Sequence, residues 1–109
     1  MIAPKRGEVW LVDLGMVAKV RPALIISVPA TDVDRALVTI VPHTTSVRGS
    51  RFEAAVSVQF LKSGAFDGQN LITIPHVKLL RVLGKLSALQ LSVVEASVRT
   101  WLGLEKLEA

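Results

Sequence analysis

Two stretches, VRPALII at residues 20–26 and PHTTS at residues 42–46, decide how this chain folds and where its polar groups gather. In the first, Arg21 precedes an aliphatic run that is typical of a buried strand. In the second, three hydroxyl side chains follow another aliphatic run, at residues 36–41. If the two strand ends lie side by side, a permanently charged guanidinium and the hydroxyls converge on one spot. The pattern therefore predicts a phosphate-binding site built from Arg21, Thr44, Thr45 and Ser46.

The bulk composition indicates one folded domain that spans residues 1–109. Half of the residues are hydrophobic and 20% are charged, which excludes a disordered chain. The chain has no cysteine, so disulfides, thiolate metal sites and cysteine nucleophiles are excluded. No signal-peptide pattern is visible, and no apolar run approaches the roughly 18–20 residues of a membrane span. We therefore expect a cytoplasmic protein without a membrane partner.

The charge balance favours an anionic partner. The net charge is +4 and the isoelectric point is near 10.0. A basic balance of this kind is typical of nucleic-acid-binding domains, although many small basic proteins bind nothing anionic. Nucleic acid is therefore the first partner to consider.

The coarse pattern predicts a series of strands followed by one helix, with no repeat and no linker. Proline and glycine divide the strands: Pro42 is predicted to stop the third strand, residues 64–69 to form a turn, and Gly84 to break the last strand. The predicted strands are residues 8–14, 21–28, 36–41, 52–60, 70–74 and 76–82.

A C-terminal helix is the clearest local prediction. Ser87 and Gln90 form a capping box at its start, and Gly103 is a plausible end signal. One amphipathic helix on a strongly bent antiparallel sheet predicts a small barrel-like domain, mainly β with a C-terminal α-helix. One helix is too small to cover both faces of such a sheet. The remaining apolar surface predicts a homodimer.

Four segments of the chain, taken in order, resemble the MazF/PemK toxins of bacterial toxin–antitoxin pairs. The opening KRGEVWLVDL looks like the start of those toxins, and RPALIIS looks like their second strand. PHTTS is similar to the strand end that carries their essential threonine, and GKLS before a helix is similar to their C-terminus. These segments are residues 5–14, 21–27, 42–46 and 84–87.

The resemblance implies an SH3-like or plasmid-maintenance-toxin barrel, a homodimer, and a sequence-selective endoribonuclease. Many members cut single-stranded RNA, including mRNA, without a metal or other cofactor and leave a cyclic phosphate. An acidic antitoxin neutralises them by lying across the same groove. Carried over residue by residue, the resemblance makes Arg21 the catalytic arginine and Thr44 the catalytic threonine.

The chain departs from the family pattern in two segments. Many members have a longer loop, with an acidic residue and a glycine, where this chain has GMVAK at residues 15–19. Several members have an aspartate in the region that here reads NLITIPH, residues 70–76. These departures bear on the third catalytic group and on the RNA sequence that is cut.

In the RNA cleavage that the resemblance implies, the 2′-hydroxyl attacks the adjacent phosphate, which gives a 2′,3′-cyclic phosphate and a 5′-hydroxyl. Arg21 offers planar donors to the nonbridging oxygens, and Thr44 adds a hydroxyl, with support from Thr45 or Ser46. Histidine is the side chain that titrates near neutral pH, so His76, ahead of His43, is our hypothesis for proton transfer.

Each candidate also has a purely structural interpretation. Arg21 can pair with Asp13 or Glu8, and hydroxyl residues are common in turns after a proline. Alternation along the strand points His43 away from Thr44 and favours packing. The remaining candidates lie on flanking loops. In the functional interpretation the cations position RNA phosphates and the aromatic ring stacks on a base. In the structural interpretation these residues only keep the loops soluble. These candidates are Lys19, Arg48, Arg51 and Phe52.

Two other functions remain open at this stage. A fold relative such as CcdB poisons DNA gyrase by protein contact and would not need Arg21 and Thr44 as a pair. A non-catalytic barrel would bind a partner segment alone. The combination of Arg-Pro with Pro-x-Thr favours the endoribonuclease.

Overall fold

The computed structural model describes residues 3–15 and 19–104, and in them the chain forms seven strands and one α-helix. Two 3₁₀ turns, Gly68–Asn70 and His76–Lys78, connect the later strands. The predicted class, mainly β with a C-terminal helix, is confirmed. The elements are β1 (Glu8–Asp13), β2 (Val20–Ile25), β3 (Leu37–Thr44), β4 (Glu53–Ala54), β5 (Ala65–Asp67), β6 (Ile72–Pro75), β7 (Leu79–Lys85) and α1 (Ala88–Leu102).

The strands form one antiparallel sheet in the order β4-β5-β3-β2-β1-β7, and β6 also pairs with β3. Among the described residues the end strands β4 and β7 do not pair with each other, so the sheet is open and differs from the closed barrel that the resemblance implied. Ala54 of β4 instead packs in one cluster with Val94 and Val98 of α1. The helix therefore covers the end of the sheet that a barrel would close with hydrogen bonds.

Strand β3 runs through Pro42, so the prediction that this proline stops the strand is wrong. On one side, β3 pairs with β2, and Pro42 lies opposite Ala23. On the other side, pairing with β6 ends at Ile40 and pairing with β5 begins at His43. Pro42 thus lies where the second partner changes, and the missing N–H of a proline is tolerated there.

Two predictions for the middle of the chain are also wrong. The predicted strand at residues 52–60 is reduced to β4, although Val56 is buried and Val58 is half-buried against the same core. The alternation there reflects burial without a partner strand. Conversely, the predicted turn at residues 64–69 contains β5, because a three-residue strand leaves little periodic pattern in a sequence.

The last strand differs from its prediction at both ends. It begins at Leu79, after the 3₁₀ turn, and continues through Gly84 to Lys85. Gly84 does not break the strand. A Cβ at this position would lie 2.5 Å from the ring of Phe60, so glycine makes room for that ring.

The sheet buries apolar residues on both faces, which is why its strands read as aliphatic runs. One cluster lies under α1 and includes Leu24 and Val41. The other lies on the opposite face and includes Ile25 and Ile40, the neighbours of those residues in sequence. A side chain from the N-terminal segment ties the helix to the sheet, because Arg6 pairs with Glu95 of α1 and donates to the Ile26 carbonyl.

The helix begins and ends as predicted. The Ser87 hydroxyl accepts the Gln90 N–H at 3.1 Å, and the Gln90 side chain accepts the Ser87 N–H at 2.9 Å. Gly103 ends the helix with a φ of 69°, a left-handed conformation that glycine adopts without strain. In the described part of the chain, no helix is long and apolar enough to cross a membrane.

We expect Ser87→Ala to lower the free energy of unfolding by about 1 kcal/mol, because it removes the capping side chain from the helix start. Urea denaturation followed by circular dichroism measures the change. Ser92→Ala is the control, because Ser92 lies on the exposed face of the same helix, and it should change stability by no more than about 0.5 kcal/mol. Equal effects of the two substitutions would contradict the role of the cap.

Candidate active site

The start of β2 and the end of β3 meet at one pocket of about 410 Å³. Because β2 and β3 are antiparallel with Ala23 opposite Pro42, extending the register by two residues sets Arg21 across from Thr44. The side chains that the sequence predicted to converge therefore do line one cavity. The pocket is lined by Arg21, Pro22, His43, Thr44, Thr45, Ser46, Phe60, Leu61, Lys62 and Leu83.

The pocket has a polar rim and an apolar floor. The rim consists of exposed side chains: Arg21, Thr45, Ser46 and Lys62. The floor consists of half-buried ones: Pro22, Phe60, Leu61 and Leu83. Sequence reasoning missed Lys62 and the apolar residues of the floor, apart from Pro22. They come from an irregular segment and from β7, and no motif or spacing in the sequence links them to Arg21.

Thr44 is held in an orientation that leaves its hydroxyl hydrogen available. Its Oγ1 accepts the backbone N–H of Ser46 at 3.0 Å, a local turn that is common for threonine. A hydroxyl that accepts one bond can still donate its own hydrogen to an anion. The turn therefore suits Thr44 to act as a donor in the pocket.

The backbone at Thr44 is packed closely against Gly64, the residue before β5. A Cβ added at Gly64 would lie 2.2 Å from the Thr44 carbonyl oxygen and 2.8 Å from Cε1 of His43. A side chain there would push β5 away from the strand end that carries Thr44. Glycine at this position is therefore a requirement of the pocket.

His43 lies behind Thr44 and is 4% exposed. Its ring packs edge-to-face on Phe66, with the two centroids 5.1 Å apart. Burial lowers the pKa of His43 below its ordinary value of 6.5, so the neutral ring is favoured at pH 7. Within residues 3–15 and 19–104 its buried Nε2 has no hydrogen-bond partner, an arrangement that costs about 1–3 kcal/mol.

His76 is not brought to the pocket, so its position does not support a part in proton transfer. Its Nε2 lies 3.1 Å from the carbonyl oxygen of Leu37, at the opposite end of β3 from Thr44. The exposed Lys19 likewise does not line the pocket. It ends the connection between β1 and β2, of which residues 16–18 lie outside the described part of the chain.

The loop that follows Ser46 is held in shape by Glu53. The Glu53 carboxylate accepts the N–H groups of Arg48 at 3.1 Å and of Ser50 at 2.9 Å, and these bonds lower its pKa. Arg48 is exposed next to the rim residues in sequence, but its side chain does not line the pocket.

Phe52 and Arg51 lie against the helix and not in the pocket. The Phe52 ring packs edge-to-face on Trp101, with centroids 5.2 Å apart. The Arg51 guanidinium lies 4.6 Å from the centre of the same ring, within range of a cation–π contact. The ring of Phe52 therefore already has two partners in the protein.

The described residues around the site do not form a metal-binding group. In residues 3–15 and 19–104, no three side chains of His, Cys, Asp or Glu come together as a group that could hold a metal ion. The charged groups of the rim, Arg21 and Lys62, are cations and suit an anion.

The fold is similar to several solved structures. An endoribonuclease in complex with its cognate antitoxin, from Mycobacterial species, is 28% identical with a TM-score of 0.83, over 96% of this chain and 100% of that chain. The Mycobacterium tuberculosis toxin MazF-mt6 is 29% identical with a TM-score of 0.75, over 91% and 99%. A MazE–MazF structure from Deinococcus radiodurans is 21% identical with a TM-score of 0.78, over 94% and 98%, and supports the fold alone.

A comparison with curated protein sequences found no match. The family model of the PemK-like, MazF-like toxins of type II toxin–antitoxin systems, however, matches residues 5–102. That match covers nearly the whole chain, including every residue that lines the pocket. The chain therefore belongs to the PemK-like, MazF-like toxin family of type II toxin–antitoxin systems.

Proposed function

We propose that this toxin is a metal-independent, sequence-selective endoribonuclease that cleaves single-stranded RNA such as mRNA. In the proposed reaction the 2′-hydroxyl attacks the adjacent phosphorus and the bond to the 5′-oxygen breaks, which leaves a 2′,3′-cyclic phosphate and a 5′-hydroxyl. The observation that carries the proposal is the shared pocket of Arg21 and Thr44. Two similar structures, each 28% identical to this chain, are endoribonucleases from Mycobacterial species and support it.

Electrostatic stabilisation is the main contribution we assign to the rim. Negative charge develops on the nonbridging oxygens as the 2′-oxygen attacks. Arg21 provides a rigid fork of N–H donors that matches two of those oxygens, and Thr44 donates its hydroxyl hydrogen. Thr45 and Ser46 provide further donors on the same side of the pocket. Donors fixed in advance where charge develops usually supply the largest part of catalysis.

We assign to Arg21 the stabilisation of the charge that develops on the leaving 5′-oxygen. An arginine in a protein stays protonated, so Arg21 donates a hydrogen bond to that oxygen and is a poor base. The proton of the 2′-hydroxyl passes to solvent water, and the 5′-oxygen takes its proton from water. Burial lowers the pKa of His43 and so favours its neutral form, and its Nε2 is enclosed in the protein. His76 does not line the pocket, and we assign it no step.

We assign the flanking cations to the neighbouring phosphates of the RNA strand. Lys19, Arg48 and Arg51 are exposed and are the kind of residues that position a strand without reading its sequence. Arg48 stands on a loop whose shape is fixed by Glu53. Phe52 contacts Arg51 and Trp101, so its proposed part in RNA binding is to hold Arg51 in place.

The proposal includes two protein partners and a cytoplasmic location, where mRNA would be met. The first partner is an acidic antitoxin, supported by the cationic rim and by the similar endoribonuclease that is in complex with its cognate antitoxin. The second is another copy of the chain. Leu80 and Val82 are 51% and 50% exposed on β7, the edge strand of the sheet, and a homodimer would cover this apolar edge.

Of the other functions that the sequence left open, neither a gyrase poison nor a non-catalytic binding domain requires an arginine and a threonine in one cavity. Incubation of the purified protein with a long unstructured RNA in EDTA separates the endoribonuclease from both. Fragments that end in a cyclic phosphate are expected. Intact RNA would contradict the proposal, and a supercoiling assay with gyrase would then distinguish the other two functions.

We expect Arg21→Ala and Thr44→Val each to reduce the rate of cleavage by roughly 10²–10³-fold, because each removes a donor to the developing charge. The rate is measured with the same RNA by gel electrophoresis. Arg35→Ala is the matched control, because Arg35 is exposed near the far end of β3 and should retain wild-type activity. Full activity in either pocket variant would refute the assigned roles.

The burial of His43 predicts that the free energy of unfolding decreases as the pH is lowered. The pKa of His43 is lowered in the folded protein, so the unfolded chain binds the proton more readily. The contribution of neutral His43 is complete above its ordinary pKa of 6.5 and is lost as the pH falls from there towards the folded-state value.

Urea denaturation between about pH 5 and pH 8 measures this dependence. We expect the wild-type free energy of unfolding to decline as the pH falls below 6.5 and His43→Leu to remove that part of the decline. His76→Leu is the control and should retain the decline. Equal pH dependence in the wild type and His43→Leu would contradict the prediction.

A further inference from the structure

The pocket has more apolar lining than a phosphate site requires. Its rim carries the donors and cations that suit a phosphodiester, but its floor consists of the half-buried side chains of Pro22, Phe60, Leu61 and Leu83. A phosphate would occupy the rim and leave the apolar floor empty. The floor therefore suits a different part of the same ligand, one that is flat and largely apolar.

Phe60 is the aromatic part of this floor and is held from behind. It packs against the core cluster under α1, together with Leu61 and Leu83. Its ring also lies directly on the backbone of β7 at Gly84, where a Cβ would approach three of its carbons to within 2.5–2.7 Å. One side of the ring is thus supported by the protein, while the residue also lines the pocket.

We propose that the floor of this pocket binds one nucleobase of the RNA, the base next to the phosphate held by Arg21 and Thr44, stacked on Phe60. This inference rests on the proposed function for its ligand class. A nucleobase is flat and has an apolar face, so it matches a half-buried aromatic ring beside aliphatic side chains. It is also joined through its ribose to a phosphate, which matches a floor that continues into a cationic rim.

Lys62 supports the same occupant. It is exposed on the rim and follows directly after Phe60 and Leu61, so one short segment supplies two of the four apolar side chains of the floor and a cation of the rim. Together with Arg21 it gives the rim two positive charges, which suit the phosphates on either side of a stacked nucleoside. An apolar peptide side chain carries no anionic group to bind at these cations.

Nucleotide binding tests the proposal without requiring catalysis. The four nucleoside 3′-monophosphates and the four 5′-monophosphates are titrated into the wild-type protein, with ribose 5-phosphate as the ligand that has no base. Chemical-shift changes in NMR spectra give the dissociation constants. We expect at least one nucleotide to bind about tenfold more tightly than ribose 5-phosphate, within the range of roughly 5- to 150-fold for one base–aromatic stack.

Two variants separate stacking from general packing. Phe60→Leu keeps the floor apolar and should remove most of the nucleotide preference while it leaves the affinity for ribose 5-phosphate unchanged. Val58→Ala is the matched control, because Val58 packs against the same core cluster but does not line the pocket. It should keep both affinities.

A third variant changes the ring without replacing it. Gly84→Ala would displace the Phe60 ring, which is the movable partner in that contact, and should reduce nucleotide binding as Phe60→Leu does. If this variant folds poorly, Phe60→Leu alone decides the result.

Three results would overturn the proposal: equal affinity of every nucleotide and ribose 5-phosphate, an equal loss of both in Phe60→Leu, or an equal loss of nucleotide preference in Val58→Ala. The proposed function is tested separately, by RNA cleavage. A protein that binds nucleotides through Phe60 but leaves RNA intact keeps this subsite and loses the assigned catalysis. A protein that cleaves RNA without any preference for a base in these titrations does the reverse.

Discussion

The whole arrangement depends on the pairing of β3 with three other strands. The strand pairs with β2 along one side, and along the other side it pairs first with β6 and then with β5. The register with β2 alone sets Arg21 across from Thr44. The contact with β5 then fixes the backbone of Thr44 from the opposite side, at a distance that only glycine at position 64 permits. A catalytic pair on two flexible loops would lack this constraint.

The sheet sets the position of the phosphate donors in the pocket, but it does not set the position of the apolar floor. Arg21 and Thr44 lie at strand ends, whose separation follows from regular hydrogen bonding. The floor depends on Phe60, which comes from a segment without a ladder of its own and is held by side-chain packing and by Gly84. The two parts therefore differ in what sets their geometry: backbone hydrogen bonds for the phosphate donors, and apolar packing for the surface beneath them.

This difference explains how much of the site could be predicted from the sequence. Arg21 and Thr44 were predictable because each lies at the end of an aliphatic run and antiparallel pairing brings such ends together. The cap at Ser87 was predictable because its partners lie three residues apart. Lys62 and Leu83 could not be predicted, because tertiary packing alone brings their segments to the pocket.

The boundaries of strands were less predictable than their existence. Strand β5 has three residues and leaves no periodic signal, and Pro42 reads as a stop because its tolerance depends on the neighbours of β3. Similarly, Gly84 reads as a break because the ring that lies on it is 24 positions away in the chain. In each case the deciding contact joins residues that are far apart in the chain, and the local sequence contains only one of the two partners.

The change of partner at Pro42 also divides the sheet mechanically. Neither β6 nor β5 pairs with β3 at Val41 or Pro42, and the proline contributes no amide hydrogen that could bridge the gap. The β3–β5 ladder can therefore separate without breaking any hydrogen bond of the β3–β6 ladder. The backbone at Thr44 is therefore positioned by β2 and β5, and its hydrogen bonding is independent of the β3–β6 ladder.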